Sequence, residues 1–161
     1  MICHIDSTFP CFATNSAIFL RHCKNIFQNI IKKFETVDIS VFCTGIHDPD
    51  AEKKLSSEKI REIMETNFFG TLNCIMAVNT YFREKKSGHI SIVSSVAGYR
   101  GLPAASGYCA SKSALTSLAE SLYLDFKRHN VRVALVSPGF IQTPMTDKND
   151  FPMPFLLSSQ Q

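Results

Sequence analysis

Three β-rich runs constrain what this chain can fold into: Val37–Cys43, His89–Ser94 and Val131–Val136. Each closes at a turn, at Thr44-Gly45, at Ser95 and at Ser137-Pro138-Gly139. The stretches between them are too long for hairpins and carry apolar residues at helical spacing. Strands alternating with helices predict βαβ crossovers and a parallel sheet. Ligands of such sheets sit beyond the carboxyl ends of the strands. Gly45, Ser95 and Pro138-Gly139 all fall at those ends, so three distant segments are expected to line one cleft.

The helices follow from the same periodicity. Ile18, Phe19, Phe27, Ile30, Ile31 and Phe34 predict a helix over 16–34. Ser56 or Ser57 can cap a second that runs to about Lys85, with Glu58 in its first turn. The apolar centre of that helix, Phe68–Leu72, is expected to be buried, and Ser87-Gly88 ends it. A third runs from Ser106 or Gly107 to about His129, with Leu115, Leu118, Leu122 and Phe126 on one face. Residues 46–55 and 97–106 read as loops.

Chemistry enters with Tyr108-Cys109-Ala110-Ser111-Lys112, thirteen positions after Ser95. Residues four apart on a helix lie on one face. An ammonium beside a phenol favours the phenolate, so Tyr108 is expected to titrate below its ordinary value. That makes it a proton donor and acceptor. Ser95, at a strand end, can hydrogen-bond the same substrate oxygen. Phenol, lysine and hydroxyl together suit carbonyl reduction or alcohol oxidation, which also needs a hydride carrier.

Composition excludes several alternatives. At 161 residues, with 45% apolar and 19% charged residues, the chain has enough for one modest domain with a single core. A net charge of +3, spread in short pairs such as Lys53-Lys54 and Lys85-Lys86, gives no stripe for nucleic acid. The six cysteines form no C-x-x-C pair and the histidines lack ligand spacing, so no metal site is expected. Reduced thiols and a cytoplasmic location are the expectation. No apolar run reaches the roughly 18 residues of a membrane span.

In order and spacing, four segments resemble the short-chain dehydrogenase/reductase family. They are Thr66-Asn67-Phe68-Phe69-Gly70, Ser94-Ser95-Val96-Ala97-Gly98, Tyr108–Lys112 and Ser137-Pro138-Gly139-Phe140-Ile141-Gln142-Thr143. The resemblance covers roughly residues 36–157. It implies a doubly wound, Rossmann-like parallel sheet in three α/β/α layers. It also implies hydride transfer between a nicotinamide cofactor, NAD or NADP, and a carbonyl or secondary alcohol. Tyr108 would then exchange the proton and Ser95 would orient the carbonyl. Lys112 would lower the tyrosine pKa and bond the nicotinamide ribose. Asn67 would hold a water linking Lys112 to solvent. Gly45, Pro138 and Gly139 would border the cofactor, and Thr143 would hydrogen-bond it. Helices around 57–84 and 106–128 would form a homodimer interface. Taken alone, Asn67 reads as a polar residue satisfying backbone in a bent helix, and Thr143 as turn chemistry. Leu102, Pro103, Phe140, Met145, Phe151 and Phe155 point to an apolar small-molecule substrate.

The chain departs from that family at two places. Where the family carries Asn-Asn-Ala-Gly, this chain reads Phe42-Cys43-Thr44-Gly45, and Cys43 reads equally as a buried core thiol. No glycine precedes Gly45, so the Thr-Gly-x-x-x-Gly-x-Gly loop that cradles the pyrophosphate is not in these 161 residues. The expectation is a single incomplete NAD(P)-binding domain, truncated at both ends. In it, 1–15 are poorly anchored, 16–145 form the core and 146–161 begin the substrate loop. Either Ile2–Asp6 or Pro10–Thr14 would be a strand remnant. Weak or absent activity follows. The alternative is a non-catalytic α/β fragment that binds a partner through its helix-pair surface.

Overall fold

The computed structural model describes residues 16–159, and the two strand-remnant candidates lie outside that range. Helix α1 (Ser16–Phe34) leads into strand β1 (Ile39–Phe42). A short α2 (Pro49–Lys53) and α3 (Ser57–Met64) follow, then a π-helical segment (Glu65–Gly70) continuous with α4 (Thr71–Lys85). Strand β2 (His89–Val93), α5 (Ser106–Lys127) and β3 (Arg132–Val136) complete the framework.

The sheet has the order β1-β2-β3 and is parallel throughout, as the alternation of elements predicts. The register pairs Ile39 with His89 and His89 with Arg132, so the three strands end nearly level. Their carboxyl ends therefore share one edge of the molecule. Ile90 and Ile92 point to the same face of β2 and are fully buried. They join Ile75, Val78 and Phe82 of α4 and Leu115, Ala119 and Phe126 of α5 in one core, with Phe27, Ile30 and Ile31 of α1 packed against it. His89, Ser91 and Val93 on the opposite face are half-buried.

Two regions differ from the sequence expectation. The loop expected over 46–55 contains α2, capped by Asp48, whose carboxylate accepts the Ala51 N–H at 3.2 Å. Five residues are too few to show periodicity, although an N-cap aspartate followed by proline is a helix-start signature. The single helix expected over 57–85 is interrupted by its π-helical segment, which buries Thr66, Asn67 and Gly70. At the far end, Lys86 turns left-handed and Gly88 has φ +129°. A Cβ on Gly88 would stand 2.4 Å from Phe82 Cε1, so this turn and the core above it require glycine.

Phe82 is wholly buried between α4 and the sheet. Phe82→Ala is expected to cost about 3–5 kcal/mol in urea unfolding. Leu124→Ala, at a position 70% exposed on α5, is expected to cost less than about 0.5 kcal/mol. Similar losses for the two variants would show that the core is placed wrongly.

Candidate active site

Helix α5 carries Tyr108 and Lys112 past the ends of the strands, and small residues let it come close. A Cβ on Gly98 would meet Ser94 Oγ and Thr116 Oγ1 at 2.9 Å. Ser94 Oγ in turn donates to the Lys112 carbonyl at 2.9 Å. This brings the Lys112 ammonium under the end of β2, where Nζ donates to the Val93 carbonyl at 3.1 Å. A Cβ on Gly45 would sit 3.3 Å from that nitrogen and 3.7 Å from Asn67 Oδ1. Gly45 thus keeps open the space between β1, Asn67 and Lys112.

Lys112 is buried, and burial lowers its pKa to about 8 because a charged ammonium loses hydration there. Its nitrogen lies 5.7 Å from the centre of the Tyr108 ring. The expected depression of the Tyr108 phenol is corrected by this geometry. Burial, the largest effect, pushes the phenol above its ordinary value, while the Ser95 hydroxyl pulls it down by favouring the phenolate. Lys112 lies over the ring and donates one hydrogen bond to the Val93 carbonyl, and desolvation outweighs its effect on the phenol.

The other expected residues fall into distinct places. Ser95 follows β2, and its Oγ also accepts the Ala97 N–H at 3.2 Å, capping the 3₁₀ turn Val96–Gly98. Asn67, on the π-helical segment, accepts the Ile46 N–H at 2.7 Å. Its amide donates to the Ile46 carbonyl and to Ser111 Oγ, each at 3.0 Å. Pro138 follows β3, and its carbonyl accepts the Val96 N–H at 3.0 Å. A Cβ on Gly139 would meet nothing within 4 Å, so this position faces open space. Thr143 lies further on, where its N–H bonds Thr146 Oγ1 at 2.9 Å in a local turn. Cys43 is exposed just past β1, which corrects the core-thiol reading.

Two residues of the site escaped the sequence reading. Glu52, on α2, is 2% exposed and accepts the Gly107 and Tyr108 N–H groups through Oε2, at 2.6 and 3.1 Å. His47 Nδ1 lies 2.8 Å from Glu52 Oε1, and its ring centre is 4.9 Å from that of Tyr108. The only sequence trace of them is the helix-start pattern at Asp48-Pro49.

The family model for short chain dehydrogenases matches residues 9–152. The chain belongs to the short-chain dehydrogenase family. An uncharacterised oxidoreductase of Myxococcus xanthus is 39% identical over 123 residues, covering 76% of this chain and 49% of that protein. A 3-oxoacyl-(acyl-carrier-protein) reductase of Thermotoga maritima is 30% identical, with 78% and 51% covered. The chain therefore spans about half the length of these relatives. Among solved structures, ElxO with NADP bound superimposes with a TM-score of 0.77 at 24% identity, over 86% of this chain and 62% of that one. NAD+-bound xylitol dehydrogenase gives 0.69 at 24% identity, over 77% and 48%. These two show the shared short-chain dehydrogenase fold.

The buried ammonium gives a pH test. Between a folded pKa of about 8 and an unfolded value of 10.5, the folded chain holds fewer protons at Lys112 than the unfolded chain. Stability from this group therefore rises with pH across that window. The stability of wild type relative to Lys112→Met is expected to increase by about 2 kcal/mol from pH 7 to 9.5, measured by urea unfolding. A difference that stays flat with pH would contradict the buried ammonium.

Proposed function

We propose that this chain is the catalytic part of an NAD(P)-dependent oxidoreductase acting on a carbonyl or secondary alcohol, with Tyr108 as general acid and base. The observation that carries the reading is convergence at the carboxyl ends of parallel strands. Ser95 from β2 and the Tyr108–Lys112 face of α5 meet there beside Gly45 and Gly139. A nicotinamide cofactor, when bound, supplies or accepts the hydride.

The residues that fit its nicotinamide-ribose end are Lys112, Tyr108 and the two glycines, which leave room for a flat ring and a sugar. The donor of the ribose bond would be Lys112 Nζ, and Pro138 and Thr143 extend the same border. No glycine precedes Gly45, so the 161 residues carry no glycine-rich cradle for the pyrophosphate. Turnover by these residues alone is accordingly weak or absent.

In the reducing direction Tyr108 gives its proton to the substrate oxygen, and its raised pKa keeps it protonated and ready at neutral pH. Ser95 donates to the same oxygen and stabilises the charge that develops on it. Lys112 holds positive potential under the ring and eases the phenolate that is left behind. Asn67 Oδ1 has a second lone pair beside its Ile46 bond and borders the space near Lys112 Nζ, which supports a role in holding a relay water. An apolar substrate fits the aromatic pair Phe140 and Phe151, whose ring centres are 5.9 Å apart. A homodimer through the α3–α4 and α5 surfaces is part of the reading, and Phe69, Met76, Tyr123 and Leu124 are exposed there.

Tyr108→Phe is expected to lower turnover of an apolar ketone about a hundredfold or more, with an unchanged melting temperature. Equal and measurable turnover in both proteins rejects the assignment. Fluorescence titration with NADH and NADPH is expected to show binding weaker than micromolar. Micromolar affinity for the 161-residue chain would overturn the need for a glycine-rich loop.

A further inference from the structure

We infer that Glu52 is a positioning residue for Tyr108, holding its backbone at the start of α5 and its ring through His47. The inference rests on Tyr108 being the acid and base.

The first amides of a helix have no partner within it. Ala105 precedes α5 and offers no side-chain cap. The cap comes instead from a residue 55 positions earlier: Glu52 Oε2 accepts both the Gly107 and Tyr108 N–H groups. A Cβ on Gly107 would stand 3.2 Å from Ile60 and 3.4 Å from that oxygen, so glycine permits the approach. The second oxygen, Oε1, holds His47 Nδ1 at 2.8 Å, and the His47 side chain is 8% exposed. The His47 ring lies against Tyr108 at an interplanar angle of 42°. One carboxylate therefore fixes the tyrosine from two directions.

A serine at an N-cap can satisfy such amides without burying a carboxylate, which is expensive. Glu52 instead places its charge between the helix start, which favours an anion, and an imidazole. Among the described residues, the groups facing Tyr108 are Glu52 and His47 from the β1–α3 segment, Cys43 beyond β1, Ser95 beyond β2, and Cys109 and Lys112 on its own helix.

The test uses protein labelled with [13Cζ]tyrosine, which gives four signals, one for each tyrosine. Tyr108→Phe identifies the relevant one, and nuclear magnetic resonance reads it at neutral pH. Glu52→Ala is expected to displace the Tyr108 signal, with Tyr81 and Tyr123 unmoved, and to speed amide exchange at Gly107 and Tyr108 about tenfold. Glu52→Gln keeps an acceptor of the same shape and is expected to displace the signal less. It also keeps the test readable if the alanine variant does not fold. Faster amide exchange with an unmoved Tyr108 signal in both variants would make Glu52 a helix cap only and overturn the proposal. Neither readout needs cofactor or turnover. An active Tyr108→Phe protein would therefore reject the acid–base reading separately, whatever the Glu52 variants show.

Discussion

The close approach of α5 to the strand ends is the constraint on which the site depends. Three glycines permit it, each where a Cβ would press on a different neighbour. Gly98 admits Ser94 and Thr116, Gly107 admits Ile60 and Glu52, and Gly45 admits Lys112. Below this contact the helix is held by Leu115 and Phe126, both fully buried in the core. Tight packing beneath and missing side chains above place a phenol and an ammonium at the edge of the sheet without a gap.

The price of that placement is electrostatic. Lys112 and Glu52 are both buried, and backbone groups meet each of them. Lys112 is met by the Val93 carbonyl, and Glu52 by two backbone N–H groups and an imidazole. Backbone dipoles do the neutralising, which fixes each charge more rigidly than a mobile side chain would. The same desolvation that lowers Lys112 raises Tyr108, so burial drives the proton affinities of the two groups apart.

Much of this was legible in the sequence. The three strands, the long helices and the facing of Tyr108 and Lys112 follow from periodicity and spacing, which are local properties. What was missed is non-local or brief. Glu52 acts on α5 across 55 positions, and nothing near either residue announces the bond. Helix α2 is five residues long, under two turns, so its apolar pattern never repeats. The Tyr108 pKa was misjudged because spacing reports that a lysine is near, whereas burial decides what the phenol feels.

The π-helical segment at Glu65–Gly70 carries a consequence for how this chain can vary in length. A π turn accommodates one residue more than an α turn does. A deletion of one residue there can be absorbed as ordinary α-helix, leaving α3 and α4 on their present faces. The backbone would survive, but the bulge that turns Asn67 toward Ile46 and Ser111 would vanish. Length in this helix is thus tied to the site rather than to the fold, so an alignment gap inside 65–70 would mark a change of chemistry where a gap in a surface loop would not.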